Sequence, residues 1–260
     1  MVRILYRYML STVYDKKNID RAYQQISLRE GAEAENARFF AENWDKIQDQ
    51  IRQRSYTPQT PAASMTDRII QQGIAQILSP VCEAVFSEHC YGFQPDKNCE
   101  MAVCELLRLR GEGYLWVVDI GLQNFYENEP EDRLMSLVHN IIHDGDTESL
   151  IRKYLKAGIM TQCTNEQETS LPVLLMNVLL NELDKELENR GLRFVRCADD
   201  CVVAVKSESS AKRVMSSVPD WIQRKLGFEA SAVKIKIARP AKLKYLRLGY
   251  FTDIQAEPVP

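Results

Sequence analysis

The feature that most constrains the fold is an aspartate pair, Asp199 and Asp200, enclosed by two short apolar runs. Phe194–Cys197 precedes the pair and Cys201–Val205 follows it. Such runs separated by a short polar segment predict two antiparallel strands joined by a tight turn. Two carboxylates at the tip of a hairpin can project into one cleft and bind divalent cations about 3.5–4 Å apart for phosphoryl transfer. An Asp-Asp pair alone is weak evidence, because aspartate is also a common turn residue.

Helical patterns dominate the first half of the chain, and the first predicted strand is Leu115–Ile120, a short apolar run. Helices followed by strands that alternate with helices predict an α+β fold rather than a doubly wound parallel sheet. The predicted helices lie within 18–55, 67–79, 99–110, 131–157, 171–187 and 209–226, and two further strands are predicted at 234–237 and 245–251.

The composition is that of a globular chain. Of the 260 residues, 45% are hydrophobic and 27% are charged, which is enough apolar material for a buried core. No apolar run reaches the length of about 18 residues that a transmembrane helix needs, and the start lacks the pattern of a signal peptide. Seven cysteines without C-x-x-C spacing disfavour a disulfide framework or a zinc site. We therefore expect a cytoplasmic protein without a membrane partner. Its thiols are expected to be free, buried at Cys82, Cys90, Cys99 and Cys104 and beside the aspartate pair at Cys197 and Cys201.

The charge is distributed unevenly along the sequence. Residues 190–250 contain 14 Lys and Arg against 5 Asp and Glu, a balance of +9, whereas the rest of the chain carries −12. A basic segment of this kind can bind a polyanion, although a solvated charged face accounts for it equally well. The acidic remainder disfavours a protein that surrounds nucleic acid on all sides.

Several stretches of the chain resemble, in order and spacing, the reverse transcriptases encoded by bacterial group II introns, the maturase family. Asp67–Gln72 (DRIIQQ) is similar to the family's D-R-x-I-Q-Q helix, and Arg193–Asp200 (RFVRCADD) is similar to R-F-V-R-Y-A-D-D. The other matching stretches are Phe86–Pro95, Arg152–Gly158 and Asn181–Leu187. The resemblance extends from Asn18 to Phe251, and its motifs are highly specific.

This resemblance implies the fingers and palm of a right-hand polymerase, with an antiparallel palm sheet that carries the Asp-Asp hairpin. Residues 1–114 would form a fingers-like helical region with part of the palm, 115–251 the palm, and 252–260 a tail. The thumb/maturase, DNA-binding and endonuclease domains are expected to be absent. The implied partner is RNA, either group II intron RNA or another RNA, with DNA as a second nucleic acid. The oligomeric state is left open.

The family's functional residues map onto particular positions of this chain. The resemblance implies that Asp199 and Asp200 are catalytic residues that bind Mg²⁺ or Mn²⁺. It implies contacts with nucleotide or nucleic acid for Arg68, Tyr126, Gln167, Lys234 and Lys236.

One position departs from this pattern at the expected metal site. The family's motif A reads V-D-I-D-L-x-x-F-F-D, whereas this chain reads VDIGLQNFYE over 118–127. Gly121 stands where the second, metal-binding aspartate belongs, and the aromatic residue five positions later, Tyr126, supports that alignment. Asp119 lies on the same strand face but roughly 6–7 Å away along the strand, too far to hold the same cation.

Other departures affect the grip on nucleotide and template. Gln94 occupies the position of the arginine in Y-G-F-R-P, and the segment 165–173 lacks both glycines of motif B. Glu168 in that segment adds bulk and negative charge beside phosphates. The family's basic fingers hairpin is missing between Gln59 and Met65. We therefore expect lost or weak polymerase activity with residual RNA binding.

Two other hypotheses remain open. The first is an active RNA-directed DNA polymerase in which Asp119, or substrate phosphates, complete the metal site with Asp199 and Asp200. The second is a non-enzymatic protein-interaction module that reuses the fold. Primer extension tests the former, and RNA binding that weakens steeply with salt distinguishes an RNA-binding protein from the latter.

Overall fold

A computed structural model of the chain describes residues 9–30, 34–60, 63–94, 96–122, 130–162, 170–228 and 233–238. The chain divides into two compact units, each assembled from two segments. Unit 1 contains residues 1–85 and 131–175, and unit 2 contains residues 86–130 and 176–260.

Helices account for most of the described chain, and none of them is long and apolar enough to cross a membrane. The helices are α1 (Met9–Val13), α2 (Lys16–Glu30), α3 (Ala34–Arg52), α4 (Met65–Glu83), α5 (Cys99–Gly111), α6 (Glu131–Ile142), α7 (Gly145–Lys156), α8 (Leu171–Asn189) and α9 (Glu208–Trp221), with a 3-10 turn at Ile159–Gln162 and a π-helix at Ile222–Leu226. The strands are β1 (Trp116–Leu122), β2 (Arg193–Cys197), β3 (Asp200–Val205) and β4 (Val233–Ala238). The strand predicted at 245–251 lies outside the described residues.

Helix α4 forms the buried centre of unit 1. It begins with a capping box, in which the Ser64 side chain accepts from the Asp67 N–H and the Asp67 carboxylate accepts from the Ser64 N–H. Asp67 is fully buried and also accepts a hydrogen bond from the Tyr56 hydroxyl at 2.6 Å. The predicted end before Pro80 is wrong, because the helix continues to Glu83. Packing of buried residues on both sides of the proline outweighs the lost backbone hydrogen bond.

Unit 2 contains a four-stranded sheet with the strand order β2-β3-β1-β4, in which every neighbouring pair is antiparallel. The antiparallel sheet and the α+β class are therefore confirmed. Directly opposed residues of antiparallel strands point to the same side of the sheet. Because Gly121 lies opposite both Asp200 and Lys234, these positions share one face, here called the Asp200 face. Arg196, which lies opposite Cys201, belongs to the other, here called the Arg196 face.

Helix α5 covers part of the Asp200 face. The residues of one hydrophobic cluster join this helix to the three strands β1, β2 and β3: Ala102, Val103, Leu106, Leu109, Val117, Val195, Cys197, Val202 and Ala204. Asn98 caps the helix by accepting a hydrogen bond from the Met101 N–H at 2.9 Å. The packing places the first residue of α5, Cys99, close to the end of β2 that leads into the aspartate pair.

Candidate active site at the Asp199 turn

The aspartate pair lies where β2 and β3 meet. Cys197 and Asp200 are directly opposite in the strand register, so only Ala198 and Asp199 connect the two strands. Ala198 has a φ of +57°, in the left-handed region that two-residue hairpin turns use. Both aspartates are partly buried. One carboxylate thus comes from the turn and the other from the first residue of β3.

A buried arginine supports this turn from the Arg196 face. The Arg196 side chain is fully buried, and its Nη1 donates to the Ala198 carbonyl oxygen at 2.9 Å. Its Nε and Nη2 donate to the two carboxylate oxygens of Asp184 at 2.8 and 2.7 Å, and Nη1 also donates to Asn177 at 2.8 Å. Burial alone would lower the pKa of Arg196, but the Asp184 carboxylate more than compensates and the net shift is upward. The turn is therefore anchored by a charged, paired guanidinium.

The loop before α5 packs against the same turn. The Tyr91 N–H donates to the Arg196 carbonyl oxygen at 2.7 Å, and the Arg196 N–H donates to the His89 carbonyl oxygen at 2.9 Å. A Cβ atom on Gly92 would lie only 2.4 Å from the backbone nitrogen of Ala198. Glycine is required at this position because any side chain would collide with the backbone of the turn.

Strand β1 places Gly121 beside the aspartate pair. Gly121 is directly opposite Asp200 on one side and Lys234 on the other. A Cβ atom built on Gly121 would lie 3.9 Å from Oδ1 of Asp200, an ordinary contact distance. A carboxylate at this position would therefore adjoin Asp200 without a clash. The register agrees with the alignment that the sequence suggested from Tyr126.

Asp119 occupies a different place on the Asp200 face. It lies opposite Val202 on β3 and Lys236 on β4, two residues along the strand from the Gly121–Asp200 pair. The carboxyl group is partly buried, and this burial raises its pKa, while the positive charge of Lys236 lowers it in part. The strand register thus places a positive charge, the ammonium group of Lys236, opposite Asp119.

The other predicted site residues are distributed over the chain. Lys236 is exposed on β4, and Lys234 lies on the same strand. Arg68 lies on α4 in unit 1, whereas the aspartate turn belongs to unit 2. Tyr126 and Gln167 lie outside the described residues.

No group of three or more His, Cys, Asp or Glu side chains within the described ranges is arranged to hold a metal ion. His139 and His143, which have the spacing of a helical metal pair, have their ring centroids 5.3 Å apart. His139 Nδ1 lies 3.0 Å from a carboxylate oxygen of Glu148. His139 on α6 therefore contacts α7 at the surface, whereas His143 lies beyond the end of α6 with a φ of +48°, so the two histidines do not lie on one helix.

A disulfide between Cys99 and Cys197 corrects the expectation that both thiols are free. Their Cα atoms are 5.7 Å apart, within the normal range for a disulfide. The two residues are 98 positions apart in sequence, and only the packing of α5 on the sheet brings them together, so no local pattern could reveal the pair. The free cysteines of the described chain are Cys82, Cys90, Cys104 and Cys201.

Comparison with known proteins gives a family match over most of the chain. The sequence profile described as "Reverse transcriptase (RNA-dependent DNA polymerase)" matches residues 46–250. The group II intron-encoded protein LtrA of Lactococcus lactis subsp. cremoris is 31% identical over 140 residues, which cover 51% of this chain and 23% of LtrA. Nuclear intron maturase 2, mitochondrial, of Arabidopsis thaliana is 21% identical over 210 residues, which cover 63% of this chain and 28% of the maturase. The resemblance to group II intron proteins is thus confirmed, over less than a third of either relative's length.

Among solved structures, a chain of the "Cas6-RT-Cas1--Cas2 complex" is similar to this one with a TM-score of 0.48 and 19% sequence identity. The similarity covers 82% of this chain and 26% of that chain.

Proposed function

This chain belongs to the reverse transcriptase (RNA-dependent DNA polymerase) family, and we propose that it is a group II intron-type member that binds RNA but has lost efficient DNA synthesis. The observation that carries the proposal is the glycine at position 121. This residue faces Asp200 at the place where motif A of the resembled proteins has a carboxylate. The fold that presents the aspartate pair is intact, while the third acidic group is missing.

Reverse transcriptases generally use divalent metal ions, which stabilise the attacking and leaving oxygens during phosphoryl transfer. The residues of this chain do not fit such a pair of Mg²⁺ or Mn²⁺ ions. Asp199 and Asp200 supply carboxylates and Gly121 supplies none. Asp119 lies two residues along the strand from Gly121, opposite Lys236. The donor set is one carboxylate short, and we assign no metal-dependent step to it.

Substitutions elsewhere support the loss of synthesis. Gln94 stands where the family has an arginine, and its Nε2 donates to the carbonyl oxygen of Cys90 at 3.1 Å. A neutral amide that is hydrogen-bonded within its own loop cannot replace a guanidinium that binds phosphate. Glu168, at the position of a motif B glycine, adds a negative charge that repels phosphates. Repair of position 121 alone would therefore leave nucleotide binding weak.

RNA binding is the function that the remaining charges support. In this proposal the basic segment 190–250 contacts the phosphate backbone, with Lys236 exposed on β4. Residues 115–251 correspond to a palm, 1–114 to a fingers-like region with part of the palm, and 252–260 to a tail. The further contacts that we assign to nucleic acid are Arg68, Tyr126, Gln167 and Lys234.

The RNA-binding half of the proposal is tested by fluorescence anisotropy with a labelled group II intron RNA fragment over a range of salt concentrations. We expect affinity to fall steeply with salt, and Lys236→Ala to reduce the slope of log K against log [salt] by about one. Lys185→Ala, which removes an exposed lysine outside the basic segment that is paired with Glu182 on α8, is the matched control and should leave the slope unchanged. Undetectable binding, or affinity that salt does not change, would instead favour a protein-interaction module.

The synthesis half is tested by primer extension on an RNA template with Mg²⁺ and with Mn²⁺. We expect little or no extension by the wild-type protein. We also expect little recovery in Gly121→Asp, because the residues expected to bind the nucleotide are substituted as well. Gly145→Asp, at a glycine with open space around it, controls for the added charge. Extension by the wild type that disappears in Asp119→Asn would overturn the proposal in favour of an active polymerase that uses Asp119.

A further inference from the structure

We propose that Cys99 and Cys197 form a reversible, redox-active disulfide that locks the Asp199 turn against helix α5. This inference requires neither RNA binding nor DNA synthesis. Cys197 is the last residue of β2 and lies directly opposite Asp200, on the same face of the sheet. Cys99 is the first residue of α5. The bond therefore ties a helix end to the neighbour of the aspartate pair.

The disulfide would stabilise a close contact between the loop before Cys99 and the Asp199 turn. The loop before Cys99 carries Gly92, at which there is no room for a Cβ atom against the backbone of Ala198. It also carries Tyr91, whose N–H donates to the Arg196 carbonyl oxygen at 2.7 Å. When the disulfide is formed, the end of this loop at Cys99 is covalently attached to the end of β2 at Cys197. Without it, only hydrogen bonds and packing hold the loop on the turn.

The two cysteines differ in how far each residue is exposed, and this difference indicates their roles. Cys197 is only 6% exposed, whereas Cys99 is partly exposed, so an external thiol or disulfide reaches the pair at Cys99. A cysteine at a helix N-terminus is stabilised as the thiolate by the helix dipole. Cys99 is therefore the attacking thiol in the reduced protein, and Cys197 is the buried resolving thiol.

The fold does not depend on this bond. The hydrophobic cluster that joins α5 to β1, β2 and β3 contains eight buried residues besides Cys197. Disulfides that replace an insufficient core occur as several bonds in small domains, whereas this unit has a continuous core of its own. One disulfide lies at the edge of this core, beside the aspartate turn. This position fits a regulatory role better than a structural one.

Formation of the bond is a two-electron oxidation by a low-molecular-weight disulfide such as glutathione disulfide. The Cys99 thiolate attacks one sulfur of that disulfide, breaks its S–S bond, forms a mixed disulfide and releases one small thiol. The Cys197 thiolate then attacks the Cys99 sulfur and releases the second small thiol. The two cysteine protons end on the released thiols, and an excess of the small thiol reverses both steps.

The experiment combines peptide mapping with hydrogen exchange in glutathione buffers of graded composition. In the full-length protein, we expect a peptide that links Cys99 to Cys197 to accumulate with glutathione disulfide and to disappear with excess glutathione. The amides of Tyr91 and of the 198–200 turn should exchange several-fold faster in the reduced protein. Exchange in helix α9, which lacks cysteines, should be unchanged.

Variants separate the lock from a general effect of reduction. Cys197→Ser and Cys99→Ser should each exchange like the reduced wild type in every buffer, whereas Cys104→Ser, at an exposed free cysteine, should follow the wild type. Three results would each overturn the proposal: no Cys99–Cys197 peptide at any composition, a linked peptide that excess glutathione does not reduce, or a redox-dependent link without a change in exchange at the turn.

Discussion

The two faces of the sheet meet at the same turn but carry different groups. On the Arg196 face, a fully buried guanidinium is paired with Asp184 and donates to the turn carbonyl of Ala198. On the Asp200 face, strand β1 places Gly121 opposite Asp200, and the carboxylate that β1 supplies is Asp119, opposite Lys236. On the Arg196 face the buried guanidinium has its carboxylate partner, whereas on the Asp200 face position 121 supplies no carboxylate beside Asp200.

This difference indicates that the contacts that stabilise the hairpin are distinct from the carboxylates that would bind a metal ion. The contacts of Arg196 lower the free energy of the folded state whether or not the turn binds a metal ion, because a buried charge must be paired. A carboxylate at position 121 has no such role, since it would add repulsion beside Asp200 unless a cation were bound. The fold can therefore present Asp199 and Asp200 at the end of the hairpin without a carboxylate at position 121.

The largest effect is expected on the Arg196 face. Asp184→Ala leaves the guanidinium of Arg196 buried without its carboxylate, which should cost about 3–5 kcal/mol of unfolding free energy. The melting temperature should fall by roughly 6–20 °C for a chain of this size, measured by circular dichroism. Lys185→Ala, one residue along the same helix at an exposed ion pair, should change stability little. Equal melting of the two variants would contradict the importance of this face for stability.

A smaller loss is expected where the loop meets the turn. Gly92→Ala would place a Cβ atom 2.4 Å from the Ala198 nitrogen, so the backbone must shift. We expect a loss of about 1–3 kcal/mol in urea unfolding, by analogy with overpacked cores. Gly111→Ala, at the end of α5 where a Cβ atom would meet nothing within 4 Å, is the matched control. If Gly92→Ala were as stable as the control, the turn would be less tightly supported than described.

The smallest effect is expected on the Asp200 face and depends on pH. Burial raises the pKa of Asp119 above its ordinary value of 3.8, with Lys236 opposing in part. A raised folded pKa means that Asp119 contributes stability below 3.8 and that this contribution is lost as the pH rises through the folded pKa. Asp119→Asn should therefore melt slightly higher than the wild type at neutral pH, and the difference should vanish in acid. A lower melting temperature at neutral pH would show that the carboxylate has a stronger partner than Lys236.

Local patterns in the sequence were sufficient to predict much of unit 2. The apolar runs around Asp199 predict β2 and β3, and the run at 115–120 predicts β1, which the structure shifts by one residue at its start and two at its end. These predictions succeed because strand formation depends on neighbouring residues and on turn chemistry. The strand register places Gly121 opposite Asp200, and the alignment of Gly121 with the motif A aspartate stays a prediction.

Interactions between distant positions could not be predicted in this way. Arg196 and Asp184 occur in two separate motifs, and nothing in either shows that their side chains form a buried pair. The disulfide of Cys99 with Cys197 likewise depends on how α5 packs on the sheet. Both contacts follow from tertiary packing, which sequence periodicity describes only as an apolar face.

The central claim is that position 121 lacks the carboxylate that would complete a cation site with Asp199 and Asp200. Electron paramagnetic resonance titration with Mn²⁺ tests it directly on the wild type, Gly121→Asp and the control Gly145→Asp. We predict no saturable Mn²⁺ binding at the turn in the wild type or the control, and a new site in Gly121→Asp that Asp200→Asn removes. Saturable binding by the wild type that is lost in both Asp119→Asn and Asp200→Asn would contradict the claim.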